Sequence, residues 1–175
     1  MQPPHKYARI ERERRFLLDR LPTPLNAARI RRIADRYIAG TALRLREQCE
    51  DGGPIVYKLT QKVPARASGA QQGFITNIYL TKDEFCVLAQ LPARQLRKTR
   101  YSVPPFGIDV FEDTLAGLVL AEAEFDSAAA ADALTLPPFV LAEVTNDDRF
   151  TGGRLVGASR QDIRTWLLEY GVRLE

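Results

Sequence analysis

Polar and apolar residues alternate along most of the chain with the two-residue period of a β-strand, and one face of nearly every such segment is charged. The first segment covers residues 7–18. Within it Ile10-Glu11-Arg12-Glu13-Arg14-Arg15-Phe16, taken as a strand, puts Glu11, Glu13 and Arg15 on one face, while a helix would scatter them. Leu21-Pro22-Thr23-Pro24 is a turn. Residues 28–39 are ambiguous, and their second part, with Tyr37 and Ile38, fits either a strand or a helix end. Residues 42–48 alternate again, with Leu43 and Leu45 opposite Arg44, Arg46 and Gln48. Asp51-Gly52-Gly53-Pro54 then predicts a hairpin into a strand at 55–62, where Lys58, Thr60 and Lys62 share a face.

The stretch 64–72 is polar and unpatterned and reads as a mobile loop, followed by a strand at 74–80. Thr81-Lys82-Asp83-Glu84 is a capping box that opens a short helix to about Leu91, with Phe85, Val87 and Leu88 as its apolar side. Strands follow at 94–103 (Lys98, Arg100 and Ser102 on one face), at 107–111 (Asp109 with Phe111) and at 118–125 (Leu118, Leu120, Glu122 and Glu124 on one face). Residues 127–134 are Ala-rich and helical, 143–150 are turn-rich, and 159–170 form an amphipathic helix capped by Ser159 and Asp162 and stopped by Gly171. About eight strands joined mostly by short turns, with two or three helices outside, predict a mainly β, α+β fold: an antiparallel sheet closed into a barrel.

Composition narrows the chemistry. With 175 residues, 45% apolar and 27% charged, the chain reads as one soluble globular domain over 1–175, with a loose tip at 1–6 and a C-terminal helix at 159–171. A net charge of +3 is too small by itself to argue for nucleic acid. Two cysteines without metal-ligand spacing, no secretory signal and no membrane-length apolar run predict a reduced cytoplasmic protein off the membrane. The single histidine, His5, sits in the Pro-rich tip, which excludes imidazole-based triads and zinc sites. Walker and GxGxxG loops are absent, so phosphate recognition would fall to side chains.

The charged faces collect five acids, Glu11, Glu13, Asp109, Glu122 and Glu124, and the bases Arg15, Arg44, Arg46, Lys58, Lys62, Lys98 and Arg100. Two readings stand. The charges form a solvated skin, or they line a polar lumen whose outside is covered by helices. The spacing-two charge pairs and the apolar opposite faces (Leu43/Leu45, Tyr57/Leu59, Val119/Ala121/Ala123/Phe125) favour the lumen. Carboxylates select hard cations such as Mg²⁺ or Mn²⁺, and a ladder of Arg and Lys grips a polyanion, so such a lumen suits a triphosphate–metal complex. The mixture of acids with bases, without interleaved aromatics, argues against nucleic acid.

These segments resemble, in order over residues 10–156, the CYTH superfamily of triphosphate tunnel metalloenzymes. Glu11-Arg12-Glu13-Arg14-Arg15 is similar to its ExExK signature, Arg44-Leu45-Arg46 to its RxR strand, and Tyr57-Lys58-Leu59-Thr60-Gln61-Lys62 to its lysine strand. Lys98-Thr99-Arg100-Tyr101, Asp109-Val110-Phe111, Ala121-Glu122-Ala123-Glu124-Phe125 and Glu143-Val144-Thr145 with Asp148-Arg149-Phe150 resemble its later segments. The resemblance implies an eight-stranded tunnel that hydrolyses or cyclises triphosphates with a divalent metal. It implies metal-side roles for Glu11, Glu13, Glu122 and Glu124, with Asp109 joining. It implies phosphate binding by Arg15, Arg44, Arg46, Lys58, Lys62, Lys98 and Arg100, and catalytic roles for Arg15, Lys62, Lys98 and Tyr37.

Three positions depart from that pattern: Arg15 replaces the signature Lys, Gly107 stands where many relatives carry Glu, and Gly152 where many carry Asn. The family's helical histidine-rich partner module is absent from this sequence, so a stand-alone domain, monomeric or homodimeric, is expected. The expected activity is metal-dependent hydrolysis of a small-molecule triphosphate, inorganic tripolyphosphate first. The alternatives are a thiamine triphosphatase, a class IV-type adenylyl cyclase, or a non-catalytic polyphosphate- or nucleotide-binding module.

Overall fold

The computed structural model describes residues 6–25, 27–64 and 71–174. The strands are β1 (Arg9–Leu18), β2 (Arg29–Ile38), β3 (Leu43–Glu50), β4 (Ile55–Pro64), β5 (Gln71–Leu80), β6 (Ala93–Val103), β7 (Phe106–Phe111), β8 (Val119–Glu124) and the two-residue β9 (Ala142–Glu143). The helices are α1 (Lys82–Leu88), α2 (Ala128–Asp132), α3 (Gly152–Leu155) and α4 (Arg160–Leu168), and 3₁₀ turns lie at Asp113–Leu115, between β7 and β8, and at Asp148–Phe150, between β9 and α3.

The strands pair antiparallel in the order β5-β4-β3-β2-β6-β7-β8-β1-β9, and β5 also pairs with β1. Eight strands therefore close on themselves, which leaves no long edge to protect. Closure is shared along β1: its first half, Arg9 to Arg12, pairs with β5, and its second half, Glu13 to Leu18, pairs with β8. The short β9 covers Phe16 and Leu17 beyond the end of β5. The expected barrel is thus present, and the ambiguous segment at 28–39 is a full strand between β3 and β6.

Several boundaries differ from the sequence expectation. The loop expected at 64–72 is shorter, because Pro64 ends β4 and Gln71 begins β5; its centre, and nearly all of the tip, lie outside the described residues. Helix α2 stops at Asp132, five residues before Pro137, and α4 stops at Leu168 rather than at Tyr170. Helix α3 was not expected; two glycines open it, and glycine favours no helix. Val87, assigned to the apolar side of α1, is 72% exposed, whereas Phe85 and Leu88 are half-buried and Phe85 packs on Tyr57 at 4.6 Å between ring centroids. Both capping boxes, at Thr81/Glu84 and Ser159/Asp162, form as expected.

Two apolar clusters hold the barrel. One lies outside the wall: Phe16, Leu18, Phe106, Ile108, Val119, Ala121 and Ala123 pack under Leu134, Phe139 and Val140 of the segment that follows α2. The other lies at one end of the lumen. Leu17, Leu96, Phe111 and Leu120 sit on the same strand faces as the lumen charges, two residues further along. They pack with Val144, Phe150, Leu155, Ile163, Leu167 and Val172, so the C-terminal segment forms an apolar floor to the barrel. Both cysteines are free, and no helix among the described residues is long and apolar enough to cross a membrane.

The floor depends on Phe150, which is 1% exposed and meets Trp166 and Tyr170 edge-on. Truncation of a buried Phe to Ala leaves a cavity and costs about 3–5 kcal/mol. Phe150→Ala is expected to lower the unfolding free energy in urea by that amount, with the outer Val87→Ala unchanged within about 0.5 kcal/mol.

Candidate active site

Strand alternation turns one residue in two toward the lumen, and the ring closure brings the inward faces of all eight strands together. From β1 come Glu11, Glu13 and Arg15; from β2 Arg31, Asp35 and Tyr37; from β3 Arg44 and Arg46; from β4 Lys58, Thr60 and Lys62. From β5 comes Asn77, from β6 Lys98 and Arg100, from β7 Asp109, and from β8 Glu122. Of the two opposed readings of the charged faces, the lumen is the observed one: Glu13, Arg15, Arg46, Lys98 and Asp109 are all buried.

The carboxylates are each held by bases. Glu11 accepts from Lys62 Nζ at 2.6 Å, and Glu13 pairs with Arg15. Glu122, directly opposite Arg15 in the β1–β8 register, takes Arg15 Nε at 3.5 Å and Arg100. Asp109 pairs with Lys98 and accepts a two-pronged contact from Arg100 at 2.6 Å each. Asp35 accepts Arg46 the same way, at 2.6 and 2.7 Å, with Arg44 Nε at 3.6 Å. Arg44 also donates to Thr60 Oγ1 at 3.3 Å, and Thr60 donates to Asn77 at 2.8 Å.

Sequence reasoning missed Asp35. Both faces of β2 mix charged and apolar residues, so no clean alternation marks it; the signal is the antiparallel register, which sets Asp35 across from Arg46. Thr145 was quoted only as part of a motif. Its hydroxyl accepts the Arg15 backbone N–H at 3.0 Å and donates to Glu143 at 2.6 Å, while Glu143 is bound by Arg14 on the outer face. That chain of contacts fixes the backbone beneath Arg15.

Charges this deep shift one another. Burial, and then the neighbouring Glu122, push the Glu13 carboxyl up, despite Arg15 and Lys62. Burial also opposes ionisation of Glu122, but Lys98, Arg100 and Arg15 outweigh it and hold that carboxyl well below the usual range. Asp35 is likewise penalised by burial, yet Arg46 and Arg44 bring it down to about 2. Lys58 has no ion pair among the described residues; burial, then Arg46 and Arg44, lower it to about 8. Burial and Asp35 raise the Tyr37 phenol, so it stays protonated.

Of the acids expected to bind metal, Glu11, Glu13 and Glu122 influence one another across the lumen. Asp109 is engaged by Lys98 and Arg100, and Glu124 is exposed at the end of β8 away from the floor. Among the described residues no group of three acids converges with metal-binding geometry, because bases stand between them. The donor set still fits a hard cation: Glu13 is buried, Glu122 is half-buried, Arg15 contacts both, and Glu13 is under-compensated. The bases have unused capacity as well. Arg15 Nη1 is buried with no acceptor among the described residues, and Arg44 Nε makes no hydrogen bond, only the 3.6 Å ion-pair contact with Asp35.

Two of the three departures from the family pattern have a steric reason. A Cβ on Gly107 would lie 3.2 Å from Cδ and 3.3 Å from Nε of Arg100, so the Arg100 side chain fills the space a larger residue would need. A Cβ on Gly152 would lie 2.0 Å from Tyr37 Oη, far inside contact distance. Gly152→Ala is expected to destabilise by about 1–3 kcal/mol in urea unfolding, as overpacking does, and Tyr37→Phe in the same chain is expected to recover part of the loss.

No family model matches the chain. It is 35% identical over 150 residues to a protein of Nitrosomonas europaea named inorganic triphosphatase, an alignment that covers 80% of this chain and 92% of that protein. It also superposes on the crystal structure of the inorganic triphosphatase NE1496 with a TM-score of 0.55 and 28% identity, covering 85% of this chain and 95% of the other. A second structure, of the hypothetical protein NE1496, superposes with a TM-score of 0.56 at 29% identity, covering 85% and 99%. With the closed eight-strand barrel, the inward acid and base faces and a relative aligned over nearly its whole length, this chain belongs to the CYTH superfamily of triphosphate tunnel metalloenzymes.

Proposed function

We propose that this chain is a divalent-metal-dependent triphosphatase that hydrolyses inorganic tripolyphosphate in the barrel lumen. The observation that carries the reading is a buried array of bases, with Arg15 Nη1 left without an acceptor among the described residues, beside the under-compensated carboxyl of Glu13 and its neighbour Glu122. The name of the Nitrosomonas europaea relative supports the same substrate. The two free cysteines suit the reducing cytoplasm.

In this reading Arg15, Arg44, Arg46, Lys58, Lys62, Lys98 and Arg100 bind the phosphate chain, several of them giving up carboxylate partners to do so. Tyr37, kept protonated by its burial, donates to a phosphate oxygen near the floor. Water attacks a terminal phosphorus, the bridging P–O bond breaks, and the products are phosphate and diphosphate. Phosphoryl transfer asks chiefly for positioning and for neutralisation of charge on the transferred and leaving groups, which the fixed guanidiniums and ammoniums provide. Glu13 and Glu122, with Glu11 alongside, would hold Mg²⁺ or Mn²⁺; Asp109 orients Lys98 and Arg100, and Glu124 stands at the solvent edge. Bound there, the ion would act as a Lewis acid on phosphoryl oxygen and lower the pKa of a bound water.

The test is phosphate release from tripolyphosphate, thiamine triphosphate, ATP and pyrophosphate, each with Mg²⁺, Mn²⁺ or chelator. The expected result is metal-dependent release, fastest from tripolyphosphate and abolished by chelator; binding without turnover on every substrate would leave only a binding module. Cyclic AMP with pyrophosphate from ATP would make the protein a cyclase instead. Lys58 sets a pH limit. Its ammonium attracts phosphate below pH of about 8 and is lost above it. The value of kcat/KM is therefore expected to fall as pH rises through about 8, and Lys58→Met is expected to remove that limb while lowering kcat/KM at pH 7 by about tenfold or more.

A further inference from the structure

Arg15 holds one carboxylate on each side. Its Nη2 donates to Glu13, two residues away on the same strand face, and its Nε lies 3.5 Å from Glu122 on the neighbouring strand. The arrangement is built in by the backbone, because Arg15 and Glu122 are direct cross-strand partners. The Arg15 backbone is fixed on its other edge too: its N–H donates to Thr145 Oγ1 at 3.0 Å, and its carbonyl accepts from Val144 N at 2.8 Å. Glu122 keeps Arg100 as a second partner, but among the described residues Glu13 has an ion pair with Arg15 alone. A guanidinium has the fork needed to bridge two acids, whereas the ammonium of a lysine is a single compact charge.

We propose that Arg15 is the internal counter-cation of Glu13 and Glu122, and that its displacement couples divalent-cation binding to polyanion binding. This rests on the lumen being a metal-assisted triphosphate site. A cation that takes Glu13 and Glu122 displaces the guanidinium among Lys62, Lys98 and Arg100, the other bases that act on these two acids, which is unfavourable unless an anion receives it. An anion that draws Arg15 away leaves the buried Glu13 without its ion pair beside Glu122, which is unfavourable unless a cation joins the two acids. Each ligand removes the penalty on the other, so the coupling is positive and reciprocal, with a magnitude of about 5- to 150-fold for a typical linked pair.

The experiment is calorimetric titration of the full chain with Mn²⁺, without phosphate, in the presence and absence of sulfate as a weakly chelating stand-in for phosphate. Wild type is expected to bind Mn²⁺ alone weakly and at least about fivefold more tightly with sulfate. Arg15→Gln is expected to bind Mn²⁺ alone about tenfold or more tightly than wild type and to lose the sulfate effect, with Arg15→Lys intermediate. Arg20→Gln, which removes an exposed charge outside the lumen, is expected to keep the sulfate effect. The wild-type comparison needs no variant and holds if Arg15→Gln does not fold. Mn²⁺ affinity indifferent to sulfate in wild type, or unchanged or weakened in Arg15→Gln, overturns the proposal. If wild type nevertheless hydrolyses tripolyphosphate with Mn²⁺, the hydrolase reading stands and only the coupling falls; absence of Mn²⁺ binding under every condition removes both.

Discussion

An ion without a partner is one of the least tolerable things to bury, and the lumen of this barrel is packed with ions. The structure satisfies them against one another. Glu11 meets Lys62, Glu13 meets Arg15, Asp35 meets Arg46, and Asp109 meets both Lys98 and Arg100. Everything else follows from keeping that set dry and in register. The closed ring removes sheet edges, the outer cluster seals β1, β7 and β8, and the C-terminal segment supplies a floor. Buried pairs of this kind add little to stability on balance, and breaking one by removing a single member costs about 3–5 kcal/mol. Under the proposed function, a metal–polyanion complex would satisfy both members of such pairs at once and avoid that cost.

Much of this was legible in the sequence where the period was clean. The faces carrying Glu11/Glu13/Arg15, Lys58/Lys62, Lys98/Arg100 and Glu122 were readable because one side of each strand was apolar or plainly different. Asp35 was not readable, since Arg29, Arg31, Arg32 and Arg36 spread charge over both faces of β2. Its role appears only when β2 is aligned antiparallel to β3, and register is a property of two strands that neither carries alone. The partnering of acids with bases was illegible for the same reason. Spacing groups the acids as one set and the bases as another, whereas cross-strand pairing interleaves them, as Arg15 with Glu122 shows.

The departures from the family pattern also became intelligible only in space. Gly107 leaves room for Arg100, and Gly152 leaves room for the hydroxyl of Tyr37. In both cases the space of a missing side chain is taken by a side chain from a barrel strand, Arg100 from β6 and Tyr37 from β2. The segment after β8 works similarly. Glu143, Val144 and Thr145 tie the outer Arg14, the floor cluster and the backbone of Arg15 to one another. A residue triplet far from β1 in sequence thereby sets where the first strand holds its guanidinium.

The floor also governs traffic. Leu17, Leu96, Phe111 and Leu120 meet Phe150, Ile163 and Leu167 across one end of the lumen, while Glu124, at the far end of β8, faces solvent. A linear anion cannot thread through such a barrel. Under the proposed function a polyphosphate would enter end first with its leading group against the apolar floor, so that chain ends rather than chain interiors would be the reactive species.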